Sequence, residues 1–324
     1  MIGTHVSKIV LILLFMFGLI PATAVQGAQA ESGLAGLGLP ELSITLTTSA
    51  IEGIPDQVDA GRYLVVVTVD DDVEFGGGVG FIQPVGASSE DVLAELAALA
   101  GPPPEADGAS PEGSPSAADA HGDHEEALPS AMFDSIYAGG TGVLSGQTGH
   151  VVVDLTPGEW IAWGEDPEAP QSPVIFQVTG DMPDNLLEPE AAATLVMGEY
   201  LIMVSEGELT AGSHVVRIDN VGAQPHFIGW VLLPDGTTEE QIGVVLDEEM
   251  QAEMSGTPPV YSDIDPEEDT MPVTFTGTQS ADTSIWIEVD LEAGTHGLVC
   301  FFPDVSDGTP HAYYGMYTVI QVGE

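Results

Sequence analysis

Residues 296–316 read HGLVCFFPDVSDGTPHAYYGM and contain Cys300, the one cysteine in a chain of 324 residues. Alternation along GTHGLVC places His296, Leu298 and Cys300 on one face of a strand. A loop rich in Pro, Gly and Asp then runs ten residues to His311, and four more residues intervene before Met316. A single cysteine cannot close an internal disulfide. In an exported chain it is either buried as a small hydrophobe or kept for the chemistry of its sulfur.

Export is read from the other end of the chain. Residues 1–30 carry Lys8, an apolar run from Ile9 to Ile20, then Pro21 and an Ala28-Gln29-Ala30 ending, the pattern of a cleaved signal peptide. The run is too short for a comfortable membrane span. No second long apolar run follows, so the reading is a secreted, extracytoplasmic protein with no membrane insertion beyond the signal. With Lys8 removed, 52 acidic residues face only Arg62 and Arg217, a formal charge near −50. That charge repels nucleic acid phosphates and anionic lipid. It also suits solubility at high salt, and near absence of lysine favours this halophilic reading. In molar salt the Debye length falls to about 3 Å and the self-repulsion is screened. The thermal midpoint is therefore expected to rise across a salt series; a midpoint indifferent to salt would contradict this reading.

Short alternating runs such as RYLVVVTVD, GHVVVDL, VIFQVTG, EYLIMVS, SHVVRIDNV, FIGWVLL, TSIWIEVDL and YTVIQVG read as strands divided by Gly, Pro and Asp. Many strands and few helices indicate an all-β sandwich. The chain also repeats itself. Residues 139–163 align with 274–299 through Asp154-Leu155 and Asp290-Leu291, and 58–69 align with 209–220. SSEDVLAELAALA and TTEEQIGVVLDEEM follow as capped helical segments. The expected organisation is a first domain over 31–180 and a second over 181–324, joined near GDMPDNLLEPEAAA. A Pro, Gly, Ser and acid segment at about 100–130 reads as a disordered insertion. His121 and His124 inside it, beside Asp119, Asp123 and Glu125, read more simply as a solvated tract than as a metal site.

His226, in NVGAQPHFIGW, lies just past a strand end. With Cys300, His311 and Met316 it completes two imidazoles, a thiolate and a thioether, the donor set of a mononuclear type 1 copper site. Thiolate and imidazole hold Cu(II), and the soft sulfurs suit Cu(I). Asn220-x-Gly222-x-x-x-His226, followed by Cys300, a loop, His311 and Met316, resembles the cupredoxins. Within the cupredoxins, CFFPDVSDGTPHAYYGM resembles secreted bacterial and archaeal proteins with a plastocyanin-like domain. The resemblance implies two tandem cupredoxin-like Greek-key domains, with His226, Cys300 and His311 as equatorial ligands and Met316 as the axial one. Two features depart from the family pattern. Two to four residues usually separate the cysteine from the second histidine, and an aromatic usually stands where His296 does. In the first repeat Phe75 aligns with His226 and Gly164 with Cys300, so that repeat lacks every ligand. His150 and His214 receive no role.

No Gly-x-Ser-x-Gly, His-Glu-x-x-His, phosphate loop or His-x-His pair occurs, and an enzyme is not expected. Two readings stay open. One is an exported copper protein that carries electrons to an unknown redox partner or holds copper. The other is a metal-free sandwich pair serving as a surface or binding module, with Cys300 a core residue. They part on whether the four side chains converge.

Overall fold

A computed structural model of the chain describes residues 33–73, 76–100, 130–164 and 171–324. The signal segment, the insertion with His121 and His124, Phe75 and residues 165–170 lie outside the described residues.

The first half contributes β1 (Glu41–Leu46), β2 (Ile51–Glu52), β3 (Gln57–Asp59), β4 (Gly61–Val69), β5 (Gly77–Gln83), β6 (Ile136–Val143), β7 (Thr148–Leu155), β8 (Gly158–Gly164) and β9 (Val174–Thr179). The second contributes β10 (Ala193–Gly198), β11 (Leu201–Gly207), β12 (Gly212–Asn220), β13 (Gly229–Leu233), β14 (Met271–Thr276), β15 (Thr283–Leu291), β16 (Gly294–Val299) and β17 (Tyr317–Val322). One sheet runs β11-β10-β12-β15-β7-β4-β1-β2 and the other β17-β16-β13-β14-β6-β5-β8-β9-β3. In each sheet the strand order on one side of the seam mirrors the other, β12 and β15 answering β4 and β7, and β13 and β14 answering β5 and β6. The all-β, two-sandwich expectation is borne out.

The halves are not merely tethered. Trp286 and Ile287 of β15 pair with Val152 and Val151 of β7, and Phe275 and Thr276 of β14 pair with Gly142 and Thr141 of β6. Both sheets therefore cross the seam, which covers four strand edges that would otherwise be open to pairing with other chains. Trp286 is buried there between the guanidinium groups of Arg62 and Arg217, at 4.5 and 5.2 Å from the ring centroid. Asp154 holds Arg62 through two bonds of 2.7 and 2.8 Å, and Asp219 holds Arg217 at 2.7 Å. Leu34 and Leu64 cover the indole from the same side of the sheet.

Two strand entries repeat in chemical detail. Tyr63 donates its hydroxyl to Asp59 O at 2.6 Å, and at the matching place His214 donates Nε2–H to Thr210 O at 2.8 Å. Trp160 donates Nε1–H to Thr156 O at 2.7 Å, and His296 donates Nε2–H to Glu292 O at 2.9 Å. Each ring ties a strand to the carbonyl four residues upstream. His296 also accepts from Trp230 Nε1 at 3.1 Å, so it is a neutral imidazole whose pKa burial lowers. The departure at His296 is thus a structural substitute for an aromatic residue.

Helices α1 (Ser89–Ala100) and α3 (Glu239–Ser255) follow β5 and β13 at the places read from sequence; α2 (Ser130–Asp134) and α4 (Pro266–Asp269) are single turns. Ser88 with Asp91 and Thr238 with Gln241 exchange side-chain and backbone bonds at the starts of α1 and α3. These are reciprocal capping boxes. On α3, Glu249 is buried; its Oε1 accepts from Tyr261 at 3.3 Å and its Oε2 has no partner. Burial pushes its pKa up to about 7 from 4.5. A carboxyl raised in the folded state contributes stability that is full below pH 4.5 and lost as pH rises through 7. Glu249→Gln is expected to recover on the order of 3 kcal/mol at pH 8 relative to pH 4. Thermal midpoints of variant and wild type with parallel pH profiles would contradict this.

Candidate metal centre

The loop after β12 is shaped by one side chain. Asn220 donates from Nδ2 to Gln224 O (2.9 Å) and Gln279 O (2.8 Å), while its Oδ1 accepts from Gly222 N (2.9 Å). His226 then exchanges two backbone bonds with Gln279, at 3.0 and 2.8 Å. Gly222 has to be glycine, because a Cβ there would lie 2.7 Å from His226 Nε2.

The long loop from Cys300 to His311 resolves into a small hairpin of its own. Asp304 N–H donates to Thr309 O at 2.8 Å, Gly308 N–H returns to Asp304 O at 2.8 Å, and Pro303 faces Pro310 in an isolated bridge. Gly308 sits at φ +77°, the left-handed state that glycine adopts without strain. Asp304 Oδ1 accepts from Ser306 N at 2.8 Å, an Asx turn. The hairpin brings His311 N–H to 2.9 Å from Phe302 O. Across that bond only Phe301 and Phe302 separate Cys300 from His311. The ten-residue spacing is a two-residue spacing with a hairpin inserted.

The donors meet. His226 Nδ1 lies 3.0 Å from His311 Nδ1, and Cys300 Sγ lies 3.9 and 3.7 Å from those two atoms. A triangle with these sides has a common point about 2.1 Å from each corner, within the ~2.0–2.3 Å of nitrogen– and sulfur–metal bonds. All three residues are 0% exposed. Among the described residues, this is the group of His, Cys, Asp and Glu side chains with metal-binding spacing. Met316 is also fully buried; its N–H donates to His311 O and its carbonyl accepts from Cys300 N, both at 3.0 Å.

Burial dominates the electrostatics. It pushes the Cys300 thiol up to about 12, against the lowering effect of the Phe227 and Phe302 backbone N–H groups. It lowers both His226 and His311 to about 4, and for His226 the neighbouring His311 adds to the effect. The site thus holds two neutral imidazoles with ring nitrogens turned on each other, beside a sulfur that burial alone keeps protonated. A cation held by these three residues would reverse that logic, favouring the thiolate and taking up both imidazole lone pairs.

Sequence reading missed the residues around the donors. Gln224 Oε1 lies 3.3 Å from His311 Nε2 and accepts from Val305 N at 2.9 Å, while Gln224 Nε2 donates to Asp304 Oδ2 at 2.8 Å. An oxygen there makes Nε2 the protonated nitrogen and leaves the Nδ1 lone pair for the centre. Burial would raise the Asp304 carboxyl, but hydrogen bonds from Ser306, Tyr200 and Gln224 hold it well below the usual carboxylate range. The Asp304-x-Ser306 turn pattern was the available signal for this network.

No family model matches the chain, and no curated protein matches it. Solved structures similar to it include an auracyanin from Roseiflexus castenholzii, at 20% identity over 40% of this chain and 95% of that one, with a TM-score of 0.26. A copper nitrite reductase from Nitrosomonas europaea is 10% identical over 88% of this chain and 94% of that one, TM-score 0.22. A multi-copper oxidase from Pediococcus acidilactici is 12% identical over 90% and 62%, TM-score 0.25. At these scores the likenesses carry no argument, and the fold is described by its own two sheets, shared by both halves, with His226, Cys300 and His311 gathered in the second half.

The first half is closed at the corresponding place. Gly164 ends β8 as Val299-Cys300 ends β16, and a Cβ on Gly164 would meet Gln171 Oε1 at 2.1 Å. The Gln171 carboxamide occupies the space where a side chain would project.

Proposed function

We propose that the chain binds one copper ion in its second half, with His226, Cys300 and His311 as equatorial ligands and Met316 as the axial ligand, and that it carries electrons or holds copper. The observation that carries this reading is the triangle of two Nδ1 atoms and one Sγ around a single point at bond distance. Mixed nitrogen and sulfur donors favour copper over harder metals, and a buried thiolate–imidazole set accommodates both oxidation states. The ion would supply one-electron chemistry. The residues of the chain hold the donors in place and exclude water.

Burial of all three donors argues for electron transfer or storage over catalysis, because catalytic metal sites keep an open coordination position. No helix among the described residues is long and apolar enough to cross a membrane, which is compatible with export under the N-terminal segment. The redox partner is another protein or small carrier able to approach a strongly acidic surface.

Titration with Cu(II), followed by visible spectrum and metal analysis, tests the reading. We expect an intense thiolate-to-copper band that saturates at one copper per chain. Protein that remains colourless while copper is in excess would overturn it.

A further inference from the structure

The turn joining β10 to β11 consists of Glu199 and Tyr200, with Gly198 paired to Leu201. A strand was expected over EYLIMVS, but the chain reverses at these two residues and β11 begins at Leu201. Tyr200 has φ +56°, one of two non-glycine residues at positive φ among the described residues. A bulky side chain in this conformation is a genuine outlier, and such strain persists where surrounding contacts over-determine it. Here the contacts all lead to the metal centre.

The Tyr200 ring stands edge-on to the His311 imidazole, with centroids 5.6 Å apart at 75°, and tilts against Tyr314 at 5.0 Å. Its hydroxyl donates to Asp304 Oδ2 at 2.6 Å, the same oxygen that accepts from Gln224. Glu199 accepts from the N–H groups of Ala223 and Gln224, in the loop that leads to His226. One two-residue turn therefore grips both segments that carry the imidazoles. Tyr200 is 36% exposed, whereas His311 behind it is 0% exposed.

We infer that Tyr200 is a positioning residue and lid for the copper centre: its ring shields the His311 edge from solvent, and its bond to Asp304 fixes the Gln224–His311 contact. The inference rests on the copper reading above. It predicts that the strained turn limits how fast copper leaves and what can reach it. In Tyr200→Ala the ring and the hydroxyl bond are both lost. In Tyr200→Phe only the bond is lost.

The test uses the full chain loaded with Cu(II), and reads the rate of copper removal by a chelator together with the response of the visible band to added imidazole. Tyr200→Ala is expected to release copper about 10-fold faster or more, the usual scale for groups that orient metal ligands, and its band is expected to change with imidazole. Tyr200→Phe should release copper at an intermediate rate and stay insensitive to imidazole. A merely structural role would lower thermal stability without making the band respond to imidazole. If both variants keep the band and match wild type in removal rate and in imidazole response, the lid is wrong and the copper site stands. If wild type shows no band, the copper reading itself fails before any variant is compared.

Discussion

Cys300→Ser is expected to abolish the visible band entirely, while Met316→Leu only changes its shape and the reduction potential. The band requires charge transfer from a soft, easily oxidised thiolate, and a serine hydroxyl at the same place does not supply it. Serine is close to cysteine in size, so the sandwich should survive. Cys300 is fully buried with its backbone N–H bonded to Met316 O, and that bond does not depend on the side chain. Met316→Leu keeps the volume of the buried side chain and removes only the thioether proposed as a weak axial ligand. Visible spectra of the copper-loaded variants decide the matter. An intense band retained in Cys300→Ser would exclude the cysteine from the centre.

Trp286→Ala is expected to give the largest loss of stability. Trp286 lies between Arg62 from β4 and Arg217 from β12, beneath Leu34, where β15 of one half meets β7 of the other. Truncating a buried indole typically costs about 3–5 kcal/mol, and the two stacked cations add to what is lost. For a chain of this size the thermal midpoint should fall by roughly 5–8 °C. Its Nε1 has no hydrogen-bond partner, so the loss is one of packing and stacking rather than of a polar bond. Calorimetry in matched salt measures it. A midpoint unchanged within a degree or two would show that the halves do not depend on the seam.

The fold was legible where local pattern carries it. Runs such as TSIWIEVDL alternate cleanly, and the two capped helical segments announce themselves through Ser88 with Asp91 and Thr238 with Gln241. Strands such as β5 and β6 were not read, because their glycines hide the alternation. Those glycines answer to long-range contacts: a Cβ on Gly140 would lie 1.9 Å from Val79 O in the neighbouring strand. The seam was equally invisible, since nothing local to Arg62, Arg217 or Trp286 says that they stack. At the centre, residue type and order pointed to His226, Cys300, His311 and Met316. Spacing argued against His311 because a linear count cannot see that Phe302 O bonds to His311 N. The turn chemistry of Asp304, Ser306 and Gly308 was present in sequence, but its consequence for register appears only in three dimensions. Tyr200 left no sequence signal at all, because its role depends on a strained turn brought in from another part of the chain.

X-ray absorption at the copper edge of the loaded protein tests the central claim most directly, because it reads the donor atoms around the ion. The predicted result is one short copper–sulfur shell together with two imidazole nitrogen shells, the sulfur shell vanishing in Cys300→Ser. A first shell of nitrogen and oxygen alone in the wild-type protein would remove Cys300 from the coordination sphere and contradict the proposed thiolate centre.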